Sequence, residues 1–368
     1  MAGHRARGHD AGAAGHVFQR PRQGEAEDRR RQGQEGRRQA RNRRQARLEP
    51  AETAFAEAGL SLAAPRGCGY IGVVSARAGG RPMSTDSDDP KVLVSTDWLA
   101  AHLSDPDLRV IDATWFLEPG RDARAEYMAA HIPGARFFDI DEIADKRSEL
   151  PHMAPQPEMF ISRMRAMGIG DGHQVVIYDN SPVRSAARVW WTFKLMGKQD
   201  VAVLDGGFGK WLAEGREIED MPPILRDRHI TVQRQAALVR DVTQVAAASK
   251  LGDHEIVDAR SAERFRGEAT EPRAGLRSGH IPGSKSLPFG RLYDQDGTLK
   301  SPDALRAEFE AAGVDLSKPV ITTCGSGVTA AVLFLALERI GHRDHSLYDG
   351  SWAEWGSFPD LKIATGDA

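Results

Sequence analysis

The chain has 368 residues, 40% hydrophobic and 27% charged, with a formal net charge of -3, enough for two domains with sizeable cores. It holds no run of about 18 apolar residues, so no membrane-spanning helix is expected. Its two cysteines, Cys68 and Cys324, are too few for a disulfide scaffold and suit a reducing compartment, so a cytoplasmic protein is expected.

Charge is distributed unevenly along the chain. Residues 1–82 carry 16 arginines, no lysine and 8 acidic residues, which leaves the remainder at a net -11. Residues 20–48 alternate Arg, Gln, Gly and Glu with almost no large apolar side chain, and such a segment cannot bury enough surface to offset its ordering entropy. Residues 1–88 therefore read as a disordered extension. An RNA-binding arm or a transit peptide would use the arginines. However, no aromatic residue is interleaved to stack on bases, and Glu25, Glu27, Asp28 and Glu35 oppose the transit reading. Met83-Ser84-Thr85-Asp86 looks like a natural start, with a compact pattern directly after it. Nucleic acid is thus not an expected partner, and Cys68 is read as incidental.

Beyond the extension the chain repeats itself. Ile111-Asp112-Ala113 recurs as Val257-Asp258-Ala259, His131-Ile132-Pro133-Gly134 as His280-Ile281-Pro282-Gly283, and Asp205-Gly206-Gly207-Phe208 as Asp349-Gly350-Ser351-Trp352. Matches in the same order at offsets of 146, 149 and 144 residues mark an internal duplication. One domain is expected over 89–214 and a second over 238–368. Residues 215–237, with Pro222-Pro223 and many charges, read as the linker.

In the first domain, Arg109–Asp112, Val175–Asp179 and Val201–Leu204 read as buried strands, and Thr96–Leu103, Ser185–Met196 and Gly209–Glu214 as helices. In the second, Glu255–Ala259, Val320–Thr323 and Ser346–Tyr348 read as strands. Ser301-Pro302-Asp303 there opens a helix with a cap, a proline at the first position and an acid in the first turn. Short apolar strands alternating with helices predict an α/β fold: two tandem domains, each a parallel sheet with helices on both faces.

The last of these elements frame the chemistry. Cys324-Gly325-Ser326-Gly327-Val328-Thr329 follows the run Val320–Thr323 and precedes the apolar helical run Ala330 to Ile340. A cysteine in a glycine-rich loop at a helix start faces free backbone N–H groups and the positive end of the helix dipole, which favour a thiolate. Cys324 is therefore a candidate nucleophile. Position 330 is Ala, so the arginine that a phosphatase loop needs there is missing, and a lone cysteine lacks the ligand count for zinc. In the first domain the matching strand runs into Asp179-Asn180-Ser181-Pro182, without a thiol. His131 and His280, like Asp112 and Asp258, occur in both halves and are read as structural.

The loop CGSGVT, the paired HIPG and DG(G/S)(F/W) motifs and the two-domain layout resemble the 3-mercaptopyruvate sulfurtransferases, within the rhodanese superfamily, over about residues 91–360. The resemblance implies two rhodanese-like domains, of which only the second is catalytic. Cys324 would carry a persulfide cradled by Gly325, Gly327, Val328 and Thr329. Glu263-Arg264-Phe265-Arg266-Gly267 and Glu271-Pro272-Arg273 would supply Arg264 and Arg273 to hold the donor, as arginine pairs with a carboxylate in a fixed fork. Arg266 and Arg277 are rivals by proximity. A Ser–His–Asp relay would comprise Ser326, His152 and Asp141, the last two from the first domain, with Asp139 a rival for Asp141.

Neutral Gly325 and Ser326, where thiosulfate-using members carry basic residues, favour the mercaptopyruvate branch. The implied reaction moves sulfur from 3-mercaptopyruvate through Cys324 to a small thiol, cyanide or a thioredoxin-like protein, releasing pyruvate without metal or organic cofactor. A thiosulfate sulfurtransferase and a non-catalytic persulfide carrier are the alternatives.

Overall fold

The computed structural model describes residues 88–117 and 119–367; the arginine-rich segment 1–82 and Cys68 lie outside them. Five strands, β1 (Leu93–Val94), β2 (Leu108–Asp112), β3 (Arg136–Phe137), β4 (Gln174–Tyr178) and β5 (Val201–Leu204), form an all-parallel sheet in the order β1-β5-β4-β2-β3. Five more, β6 (Val239–Arg240), β7 (Glu255–Asp258), β8 (Lys285–Ser286), β9 (Val320–Thr323) and β10 (His345–Tyr348), form a second parallel sheet in the order β6-β10-β9-β7-β8. The winding is the same in both, as the repeated motifs require. The three longest strands of each sheet are the ones legible in the sequence. The two-residue edge strands β1, β3, β6 and β8 are too short to show alternation.

Each sheet is covered on both faces, which is why its central strands are short and rich in buried apolar and β-branched residues. Val176 and Tyr178 of β4 face an outer core with Leu99, Tyr127 and Trp211 from surrounding helices. Ile256 of β7 and Ile321 of β9 do the same with Val245 and Trp352. The inner faces share one core, which gathers Val175 and Ile177 of β4, Val257 of β7 and Val320 of β9 around the helices Ala186–Leu195 and Ala330–Arg339. Trp190 of the first helix meets Phe334 of the second edge-on, with ring centroids 6.0 Å apart. Each large apolar side chain buried there contributes about 1.5–3 kcal/mol relative to exposure. The two sheets are thus joined through a common apolar layer.

Local capping follows the sequence. The helix Pro302–Ala311 begins with Ser301 Oγ accepting the Ala304 amide at 3.3 Å and a proline at the first position. Residues 220–235 form no helix or strand and run along the first sheet's domain. The Gln233 and Gln235 amides donate to the Met196 and Leu195 carbonyls at 3.0 and 2.7 Å. The carboxyl ends of β4 and β9, where ligands bind in open parallel sheets, open toward segments of the opposite domain.

Candidate active site

Cys324 is the first residue beyond β9, and its backbone is seated by the repeated DG motif. Ser351 takes a left-handed conformation, φ 51°, and its Oγ accepts the Cys324 amide at 3.2 Å while donating to the Tyr348 carbonyl at 2.8 Å. The Cys324 and Gly325 carbonyls accept the amides of Trp352 and Ala353, both at 2.9 Å. The loop then curls so that the Gly327 amide donates to Cys324 Sγ at 3.1 Å. Gly327 has φ +79°, and a Cβ there would stand 2.9 Å from Arg188 Nη1 and 3.1 Å from the Asp349 carbonyl, so only glycine fits. The amides of Gly325, Ser326, Val328 and Thr329 have no acceptor among the described residues. They lie in the loop between the thiol and the ten-residue helix Ala330–Arg339, an arrangement suited to a bound or covalent anion.

The thiol, 2% exposed, lies in a cavity of about 190 Å³ lined from both domains: Trp115, Leu117 and Val183 from the first, Arg264, Pro272, Arg273 and Phe289 from the second. Both arginines face it, but in different ways. Arg264 is held by Glu271 through Nη2–Oε2 at 2.6 Å and Nε–Oε1 at 3.2 Å, and Glu271 is itself buried against Arg260 at 2.8 Å. This fork sets the Arg264 guanidinium over the loop, where a Cβ on Gly325 would meet its Nη2 at 3.0 Å. Arg273 has no hydrogen-bond or ion-pair partner among the described residues. Burial lowers its pKa from the usual value; the charge of Cys324 opposes this, Arg264 reinforces it, and Glu271 and Asp141 oppose it further. The rivals lie elsewhere: Arg266 pairs with exposed Glu268 at 2.7 Å, and Arg277 clamps the carbonyls of Gly356 and Leu361 at 3.2 and 3.0 Å.

His152 and Asp141 come from the first domain, in the segment between β3 and the helix Pro157–Ala166. His152 Nδ1 lies 3.1 Å from Ser326 Oγ, and its Nε2 lies 3.1 Å from Asp141 Oδ1. Trp115 Nε1 donates to the other Asp141 oxygen at 2.8 Å, and its ring meets the imidazole edge-on at 4.7 Å. Hydrogen bonds from His152 and Trp115 lower the Asp141 pKa against a partial desolvation that would raise it. Ionised Asp141 therefore keeps a proton on Nε2 and turns Nδ1 toward Ser326. Asp139 instead accepts the Asp141 and Glu142 amides, both at 3.0 Å, and caps the turn.

His131 and His280 lie outside this cavity. Each is buried, stacked on Tyr127 or Phe265 at 4.1 or 3.8 Å, with Nδ1 on that residue's carbonyl. Three groups of the site carry no assignment from the sequence reading: Trp115, Glu271 and Arg188. Trp115 and Glu271 reach the site from loops. Arg188 did leave a signal, a cation near the start of a helical run rich in large apolar residues.

The rhodanese-like domain family matches residues 95–214 and 241–357. The 3-mercaptopyruvate sulfurtransferase of Escherichia coli strain K12 is 42% identical over 273 residues, covering 73% of this chain and 96% of that one. The thiosulfate sulfurtransferase of Bos taurus is 42% identical over 272 residues, covering 72% and 92%. The crystal structure of SseA from Escherichia coli, described as a 3-mercaptopyruvate sulfotransferase, superimposes with a TM-score of 0.66 at 40% identity, covering 71% of this chain and 99% of SseA. The chain belongs to the rhodanese family, with two rhodanese-like domains.

Proposed function

We propose that the chain transfers the thiol sulfur of 3-mercaptopyruvate through a Cys324 persulfide to a thiol or cyanide, releasing pyruvate. The observation that carries this reading is the relay Ser326–His152–Asp141 set beside a thiol whose cavity holds two arginines. Cleaving a C–S bond needs a proton for the departing carbon, and the relay can supply one; cleaving thiosulfate, whose leaving group is sulfite, does not. The Cys324 thiolate attacks the donor's sulfur. An S–S bond forms as the C–S bond breaks, and the electron pair leaves on carbon as pyruvate enolate. His152 Nδ1, through Ser326, first takes the proton of the donor's thiol; the resulting imidazolium, which Asp141 stabilises, returns it through Ser326 Oγ–H to that carbon. Arg264 and Arg273 hold the carboxylate and the keto oxygen. The outer sulfur, cradled by the amides of Gly325 to Thr329, then passes to the acceptor.

Thiosulfate as donor is the second reading. It is supported by the two cations in the cavity and by the equal identity to relatives named for either donor. Rates with the two donors separate the readings, and mercaptopyruvate is expected to be faster with stoichiometric pyruvate. Cys324→Ser should abolish turnover with both, and substantial remaining activity would sink the covalent mechanism. A cytoplasmic location and a reduced thioredoxin-like acceptor accord with a thiol that must return to the free state each cycle. No helix among the described residues is long and apolar enough to cross a membrane.

A further inference from the structure

Arg188 is the third residue of the helix Ala186–Leu195, inside the apolar layer between the sheets, with its side chain 2% exposed. A buried cation is tolerated only where charge and hydrogen bonds compensate its lost hydration. Its Nη2 donates to the His152 carbonyl and to Asp349 Oδ1, each at 2.6 Å, and its Nη1 to the Gly327 carbonyl at 3.3 Å. The guanidinium also lies 4.5 Å from the Trp191 ring centroid. Asp349 in turn accepts the Ala154 amide through Oδ2 at 2.8 Å. One guanidinium therefore joins the loop that carries the thiol to the segment that carries the relay imidazole. That segment needs holding: His152 has φ 60°, a left-handed conformation that costs a non-glycine residue about 1–3 kcal/mol.

The duplication supplies an internal control. Asp205 stands in the first domain where Asp349 stands in the second, and it accepts the Leu299 amide at 2.7 Å as Asp349 accepts that of Ala154. Two residues before Leu299 is Gly297, φ +83°, matching His152 two residues before Ala154. The third residue of the helix Ala330–Arg339 is Val332. The carboxylate and the left-handed turn are thus present on both sides. The arginine, the imidazole and the thiol occur together on one side only; the other has Val332, Gly297 and Asp179. A residue that served packing alone would have no reason to follow the thiol.

We infer that Arg188 is a positioning residue for the proton relay: it fixes the His152 backbone so that Nδ1 meets Ser326 Oγ. The kinetic arm of its test rests on the mercaptopyruvate reading; the spectroscopic arm does not. The full chain would be studied with Arg188→Lys and with the double variant Arg188→Met/Asp349→Asn, which leaves neither charge buried alone. Pyruvate release from 3-mercaptopyruvate requires the relay, whereas discharge to cyanide of a persulfide preloaded with polysulfide requires only the cysteine loop. Both variants should lose at least about tenfold in kcat for pyruvate release, part of the ~10²–10⁴-fold that a positioned acid–base group contributes, with KM changed less than about threefold and cyanide discharge, which feels only the 3.3 Å contact to the Gly327 carbonyl, falling several-fold less than pyruvate release. Unaltered kcat, or a parallel loss in both half-reactions, would overturn the inference. In parallel, ¹⁵N imidazole shifts of His152 should report the Nε2-protonated tautomer in the wild type and a mixed tautomer in both variants. If the wild type releases no pyruvate, the donor assignment falls; a tautomer shift in the variants still upholds the role of Arg188, and identical shifts refute it.

Discussion

Arg273 and Arg264 face the same cavity but should respond differently to truncation. Arg273 has no protein acceptor among the described residues, so its donors are available to a ligand. A charge-assisted hydrogen bond to a carboxylate contributes about 1.5–3 kcal/mol net. At ~1.4 kcal/mol per tenfold, Arg273→Ala should raise KM for 3-mercaptopyruvate about 10- to 150-fold. Arg264 already shares two of its donors with Glu271 at 2.6 and 3.2 Å, and after Arg264→Ala the carboxylate still has Arg260 at 2.8 Å. No buried acid is orphaned and less ligand binding is lost, so a KM increase of about 5- to 30-fold is expected, corresponding to ~1–2 kcal/mol. Arg273→Lys keeps the charge without the fork and should fall between wild type and Arg273→Ala. The assay is steady-state pyruvate release, with inhibition by added pyruvate as an independent measure of carboxylate binding, since KM equals Kd only when chemistry is slow. If Arg273→Ala left both KM and the pyruvate inhibition constant within about twofold of wild type, the assignment of this arginine to the donor would be wrong.

Other expectations concern the relay, the donor and the pH dependence of stability. Asp141→Asn should slow pyruvate release by ~10–100-fold while persulfide discharge to cyanide continues. Because Asp141 is held below its ordinary value of 3.8 by His152 and Trp115, the wild-type rate should show no Asp141 inflection at any pH above that, and one that vanished in Asp141→Asn would contradict this. Exchanging Gly325 and Ser326 for Arg and Lys places cations at the loop beside Arg264 and removes a relay member. The ratio of kcat/KM for thiosulfate to that for mercaptopyruvate should rise at least about tenfold, and an unchanged ratio would mean loop charge does not select the donor. Burial pushes Asp205 up from 3.8 to about 6. The folded state thus binds this proton more tightly than the unfolded chain, and wild-type stability falls as pH rises through that window. Asp205→Asn keeps an oxygen for the Leu299 amide and should stabilise by ~1–3 kcal/mol at pH 7.5 but by much less at pH 4. Urea midpoints that shift equally at both pH values would count against this.

The fold was legible because its signals are local and repeated. Val175–Tyr178 is apolar and Val320–Thr323 β-branched throughout since both faces of their sheets are covered, and the HIPG and DG motifs occupy equivalent turns. The thiol loop was legible because a strand, two glycines and a helix start bracket one cysteine. Choosing Asp141 over Asp139, or Arg273 over Arg277, depends on where loops from distant parts of the chain converge, which spacing alone does not encode. Trp115 and Glu271 are hidden for the same reason. Arg188 was visible as an oddity in an apolar helix, but its meaning lies in carbonyls contributed by residues 36 and 139 positions away.

In the proposed mechanism the relay crosses from one domain to the other, which would divide the enzyme's two capabilities between separate parts of the chain. Holding a sulfur atom would use chiefly the loop after β9, whereas breaking a carbon–sulfur bond would draw on an imidazole delivered by the neighbouring domain. If that contact opened by a fraction of a bond length, the protein would become a reservoir, able to keep and hand on a sulfur but unable to harvest a new one. The thiol-free domain is in that sense the ignition of the catalytic one, and the apolar layer that binds them keeps the circuit closed.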